Sequence, residues 1–180
     1  MRRLFVPVLL CFLLAACGSP RVEGQGDGAA YVGGAVALEC APFARVLSGV
    51  TLRGPADSWW SAADGLYARG HAPVVGSVLV FRRSERLASG HVAVVARVLE
   101  PRRILVAQAN WVHHRVTEDQ VVVDVSSAND WSVVRVFWPP SGQMGTAEYP
   151  TYGFIRPRRP ASTEQIVEAT PKAVRIASQQ

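Results

Sequence analysis

The chain has 180 residues, 49% of them hydrophobic, 18% charged and 8% aromatic, which is the length of one domain with short ends left over. That excludes a TIM barrel or a multidomain enzyme, and it leaves a core large enough to stand without disulfide staples. The formal charge is +5, with the arginines dispersed apart from Arg156, Arg158 and Arg159, so no nucleic-acid partner is expected.

The chain opens with Arg2 and Arg3, then the apolar run from Leu4 to Leu14, then small residues up to Cys17. A charged n-region, a short h-region and a small-residue cleavage site are the parts of a secretory signal. The run falls well short of the ~20 apolar residues that a spanning helix needs. The segment Leu14-Ala15-Ala16-Cys17-Gly18 resembles a bacterial lipobox, and the resemblance implies cleavage before Cys17 and lipidation of that residue. Gly18, with no Asp after the cysteine, resembles the pattern that lets a Gram-negative lipoprotein reach the outer membrane. The expected organisation is therefore a signal over 1–16 and a Gly-rich tether over 17–30, in an exported protein anchored by lipid to the cell envelope. Losing Arg2 and Arg3 with the signal leaves 17 basic and 14 acidic residues, a net +3. That mild positive charge suits anionic cell-wall or lipid surroundings.

Two helices are expected next. Glu39–Ser48 has Pro42 in its first turn, Phe43, Val46 and Leu47 at helical spacing, and Gly49 placed to cap the end. Ala56–Arg69 has Trp59, Trp60, Ala63 and Tyr67 at periodic positions, with Gly70 closing it. The period then changes from helical to strand-like. Val-rich runs at 77–82, 91–99, 104–108, 120–125 and 133–138 read as strands separated by turns, and 149–155 resembles a closing strand. Helices followed by an antiparallel sheet predict an α+β layer architecture. The domain is expected over 31–156, as a monomer. Residues 157–180 have few large apolar residues and read as a tail that hangs off the domain or forms one marginal terminal helix.

Cysteine usage narrows the chemistry. Cys11 leaves with the signal and Cys17 would carry lipid, so Cys40 is the one thiol left in an exported protein. Such a thiol is either a buried small hydrophobe or a nucleophile. Cys40 falls at the start of the first helix, where unpaired N–H groups and the helix dipole favour an anion, so a lowered thiol pKa is expected. His91 opens a strand after Ser89-Gly90 and can project toward that helix end. Gln108 and Asn110 close the next strand, two apart and so on one face. Either amide could orient His91, which leaves nucleophile, base and orienter in chain order.

At these residues the chain resembles the CHAP family, the cysteine- and histidine-dependent amidohydrolase/peptidase domain. The matching pieces are Cys40 opening a helix, Trp59-Trp60, Pro73-Val74-Val75-Gly76-Ser77-Val78-Leu79-Val80-Phe81, Gly90-His91-Val92-Ala93-Val94-Val95 and Val106-Ala107-Gln108-Ala109-Asn110-Trp111. Together they cover about residues 35–140. The resemblance implies a papain-like fold with N-terminal helices packed on a small antiparallel sheet. It implies peptidoglycan as substrate, cut at the N-acetylmuramoyl–L-alanine amide or within the peptide. It also implies Cys40 as nucleophile, His91 as general base and Asn110 completing the site, with a backbone N–H at Cys40 in the oxyanion hole. Many members carry an acidic residue where this chain has Gln108, and Glu39 replaces the usual Gln or small residue before the nucleophile. Those two departures favour the alternative of a catalytically inactive cell-wall-binding or scaffold lipoprotein. A hydrolase acting on another envelope substrate is a third reading.

No cofactor and no metal is read from the sequence. His113 and His114 are adjacent, and neighbours on a strand face opposite ways, so a shared ion with Cys40 is not expected. Trp59, Trp60, Trp131 and Trp138 read as core, and His71 as a surface loop residue.

Overall fold

Short Val-rich runs bounded by Gly, Pro and Arg-rich turns make strands, and here they make a closed sheet. The computed structural model describes residues 28–180, so the signal segment, the expected lipidation at Cys17 and most of the tether lie outside the described residues. Six strands carry the architecture: β3 (Val78–Phe81), β4 (His91–Glu100), β5 (Arg103–Ala109), β6 (Val116–Asp124), β7 (Val133–Trp138) and β9 (Tyr149–Ile155). The two-residue pairings β1 (Ala30–Tyr31), β2 (Arg69–Gly70) and β8 (Gln143–Met144) are added at their margins. Three helices complete the described residues: α1 (Cys40–Ser48), α2 (Trp59–Ala62) and α3 (Thr163–Ala177).

The papain-like α+β arrangement expected from the sequence is not adopted. The strands pair antiparallel in the order β6-β5-β4-β3-β9-β7, and β7 pairs back onto β6, closing a six-stranded barrel. Closure depends on β6 serving two partners. Its residues from Val116 to Val123 face β5, while Val122, Val123 and Asp124 also meet Val136, Arg135 and Val134 of β7. The other side of β7 then takes β9 through Val133↔Pro150 and Val134↔Tyr149. An apolar run announces a buried strand but not its neighbours, and that is why closure escaped the pattern. The second expected helix also shrinks. A 3₁₀ turn at Ala56–Ser58 leads into the four residues of α2, and Arg69-Gly70 pairs with β9 instead of ending a helix.

The period-2 alternation of the strands divides the apolar residues between two cores. Leu79, Phe81, Ala93, Val95, Ile104, Val106, Val122 and Val136 fill the barrel, where Trp131 packs edge-on against Phe154. Val78, Val80, Val92, Val94, Ala107 and Ala109 face outward beneath α1 and α3. Both faces of β3 and of the first half of β4 are therefore buried, which explains their near-continuous Val runs. Of the four tryptophans expected in the core, Trp59 and Trp131 are fully buried, Trp60 is half-buried and stacked on Tyr152, and Trp138 is exposed.

Residues 163–177 form α3, which lies against α1 and β4. Ile166, Thr170, Ala173 and Ala177 make one buried stripe at helical spacing. Ser162 and Gln165 close a reciprocal capping box, a contribution of about 1 kcal/mol. It offsets part of the penalty of the exposed Pro171, roughly 3 kcal/mol for an interior proline.

Candidate active site

The barrel end where β4 begins meets the N-terminus of α1, and there the chemically useful side chains of the sequence converge. α1 is fixed by Phe43, Ala44 and Leu47, all buried against the outer barrel face, and is ended by Gly49 in a left-handed conformation whose N–H returns to the Arg45 carbonyl at 3.1 Å. Those anchors hold Cys40, the first helical residue, at the barrel rim. No side chain caps this helix end: Glu39 occupies the N-cap position without bonding its backbone.

His91 is placed by its predecessor. Gly90 has φ +67°, and a Cβ there would lie 2.7 Å from the Phe81 carbonyl oxygen and 2.8 Å from both Cβ and N of Asp57. Only glycine permits this close approach. The approach is tied down by the Asp57 N–H donating to the Ser89 carbonyl at 3.0 Å and the Gly90 N–H donating to Leu87 at 2.9 Å. His91 is 4% exposed and enters the barrel mouth beside Phe81, Trp111 and Tyr149. The rings of Phe81 and Trp111 meet its imidazole edge-on at centroid distances of 5.5 and 5.2 Å.

Gln108, not Asn110, is the partner of His91. Its Oε1 lies 2.8 Å from His91 Nε2, and both side chains are buried. Asn110 was expected on the same face as Gln108. It instead adopts a left-handed backbone, φ 60°, where the chain leaves β5, and turns away. Its Nδ2 donates to Glu39 Oε2 at 3.0 Å and its Oδ1 accepts the His114 N–H at 2.9 Å. Asn110 therefore ties the loop after β5 to the N-cap of α1. Cys40, His91, Asn110 and Glu39 line one pocket of roughly 550 Å³, whose other walls include Pro55 and the exposed Arg86.

The resting protonation of the pocket is neutral at its centre. Burial pushes the Cys40 thiol above its ordinary value. Backbone N–H groups of Val92, Ala41 and Cys40 itself act in the other direction, while the Glu39 carboxylate adds to the rise. The lowered thiol pKa expected from the helix N-terminus is therefore not found: desolvation exceeds the helix-end effect, and Glu39 opposes that effect too. Burial likewise drives His91 down to about 4, against the Gln108 contact and the Glu39 charge, which both favour its protonated form. At neutral pH the pair is thiol and uncharged imidazole.

His113 and His114, expected to face opposite ways, sit in a turn rather than a strand, and their rings stack at 3.7 Å between centroids. His71 is exposed, with Nδ1 3.1 Å from the Asp130 carbonyl. Gln120 and Thr117 are functional neighbours that no sequence motif singles out. Both are buried polar residues on β6, and both join the hydrogen-bond network of Gln108. A lone amide heading the apolar run Gln120-Val121-Val122-Val123 was the available signal. Trp111 and Tyr149 also line the barrel mouth, and side-chain neighbours across that mouth are not encoded in the runs that contain them.

Residues 29–110 match the family model described as the CHAP domain, just under half of the chain. The matched stretch contains Cys40, His91, Gln108 and Asn110 and ends with β5, so three of the six barrel strands lie beyond it. CHAP domains are generally hydrolases that act on peptidoglycan. No curated protein matches the chain.

Proposed function

We propose that this protein is a cysteine-dependent hydrolase of peptidoglycan amide bonds, exported and held at the cell envelope by lipid on Cys17. The observation that carries the reading is the shared pocket of Cys40 and His91, with one ring nitrogen of His91 engaged by a buried amide oxygen. An uncharged imidazole whose Nε2 is occupied has Nδ1 left to accept a proton.

In this reading Cys40 Sγ attacks the amide carbonyl carbon as its proton passes to His91 Nδ1. General-base assistance suits a pair that rests neutral better than a preformed thiolate–imidazolium pair does. The oxyanion of the tetrahedral intermediate is met by backbone N–H at Cys40, on the helix end that lacks a side-chain cap. Collapse transfers the proton from His91 to the leaving amine and breaks the C–N bond, leaving a thioester on Cys40. Water, deprotonated by His91, then releases the carboxylic acid and restores the thiol.

A binding or scaffold role is favoured by one observation, the upward push of burial on the Cys40 thiol. Incubating purified sacculi with the protein and with its Cys40→Ala variant separates the two. Fragments released by the wild type alone establish a Cys40-dependent hydrolase, and their masses distinguish an amidase from a peptide endopeptidase. Binding by both proteins without release by either removes the hydrolase reading.

A further inference from the structure

The His91 partner is itself held by a second buried amide. Gln108 Nε2 donates to Gln120 Oε1 at 2.8 Å, and Gln120 Nε2 donates to the backbone carbonyl of Phe137 at 2.7 Å. The Thr117 hydroxyl donates to the same Gln120 oxygen. Gln108 and Gln120 are both 0% exposed.

The β5–β6 register explains how two residues three apart on β6 face the same way. Val106 pairs with Gln120 and Gln108 with Thr117, with a register shift between them. Asp119 takes up the extra residue in a left-handed conformation, φ 51°. In a regular strand Thr117 and Gln120 would point to opposite faces. The bulge turns both inward to Gln108.

Each contact in this chain has one permitted direction. The Phe137 carbonyl can only accept, so it takes the NH₂ end of Gln120 and turns the Gln120 oxygen toward Gln108. That oxygen, also holding the Thr117 hydroxyl, takes the NH₂ end of Gln108 and turns the Gln108 oxygen toward His91. Facing an acceptor, His91 Nε2 must carry the proton. A flipped Gln120 would set oxygen against oxygen at Phe137 and NH₂ against NH₂ at Gln108, in a place where water does not reach.

We propose that Gln120 is a positioning residue which, through Gln108, locks His91 in its Nε2–H tautomer and reserves Nδ1 as the basic nitrogen. The proposal rests on the reading of His91 as general base for its catalytic meaning, but the tautomer itself does not depend on any activity.

The test is nitrogen NMR of the His91 imidazole at neutral pH in the whole protein, alongside kcat/KM on sacculi. The wild type should show a protonated Nε2 and a bare Nδ1. Gln120→Met, similar in shape but without the amide, should show a mixture of tautomers and a kcat/KM roughly ten-fold or more lower, with KM little changed. Gln120→Glu should keep the wild-type tautomer at neutral pH, because its carboxyl accepts from Gln108 whether neutral or ionised. A wild-type spectrum with the proton on Nδ1 overturns the proposal whether or not any variant folds. A folded Gln120→Met protein with an unchanged tautomer also overturns it, while leaving Cys40-dependent cleavage intact as a separate finding. A tautomer switch in a protein that releases nothing from sacculi supports the relay and counts against the hydrolase reading alone.

Discussion

Asn110 Nδ2 donates to Glu39 Oε2 at 3.0 Å, so one of the two amides that the sequence offers as partners for His91 instead holds the carboxylate immediately before Cys40. That carboxylate raises the thiol pKa of Cys40 and also favours the protonated form of His91. It therefore disfavours the thiolate while easing transfer of the proton to the imidazole.

Replacing that charge should make the thiol more reactive. In Glu39→Gln the side-chain oxygen can still accept from Asn110, so the loop contact survives and only the charge is lost. Exposed charges contribute at most about 1 kcal/mol, a factor of about five in thiolate population. The alkylation rate of Cys40 by iodoacetamide at pH 7.5 should therefore rise by up to about five-fold. An unchanged or slower rate would mean that Glu39 does not act on the thiol electrostatically.

The pH profile of kcat/KM follows from the two shifted groups. His91 must be uncharged to take the thiol proton, and its value of about 4 places the acid limb there rather than near 6.5. The alkaline limb belongs to Cys40 and lies above the ordinary thiol value, since burial holds the proton on sulfur. A broad plateau across neutral pH is expected in the hydrolysis of sacculi. An acid limb near 6.5 would show that His91 is not desolvated in the free enzyme.

Much of this arrangement was legible before the fold was known. The α1 boundaries follow from Pro42 and Gly49, and the five Val-rich runs together with the closing segment 149–155 locate the six barrel strands to within a few residues. Closure of the sheet was not legible, because it depends on which strand edge β6 offers to β7, and side-chain pattern carries no information about edges. The choice between Gln108 and Asn110 as the partner of His91 is not legible in the sequence, for a local reason. Spacing places Gln108 and Asn110 on one face only while the strand continues, and the left-handed backbone at Asn110 ends it there. The direction of the Cys40 thiol shift is not legible either, because sequence reveals a helix end but not how deeply the residue on it is buried.

Stability should depend on pH through His91. Its folded value of about 4 lies below the ordinary 6.5, so between these limits the unfolded chain binds a proton that the folded chain refuses. The His91 contribution is therefore fully present above pH 6.5 and is lost as pH falls toward 4, by about 3 kcal/mol at about 1.4 kcal/mol per unit. Urea denaturation at pH 7.5, 5.5 and 4.5 should show this loss in the wild type and a shallower slope in His91→Gln. Parallel slopes would remove His91 as the cause.

Gly90 supplies the closest backbone contact at the site, and a methyl group there tests how His91 is presented. Gly90 and Gly142 have almost the same backbone conformation, φ +67° and +65°, but a Cβ at Gly142 would meet nothing within 4 Å. Gly142→Ala should therefore cost about 1 kcal/mol, the penalty of a left-handed backbone alone. Gly90→Ala adds contacts of 2.7 and 2.8 Å with the Phe81 carbonyl and Asp57 backbone, so the 56–58 turn or the start of β4 must shift. A loss of roughly 3 kcal/mol is expected. Because any such shift moves His91 relative to Cys40, cleavage of sacculi should fall further in Gly90→Ala than in Gly142→Ala when both are assayed well below their melting temperatures. Equal losses of stability and activity in the two variants would show that backbone conformation alone, and not the approach to Phe81 and Asp57, is what Gly90 provides.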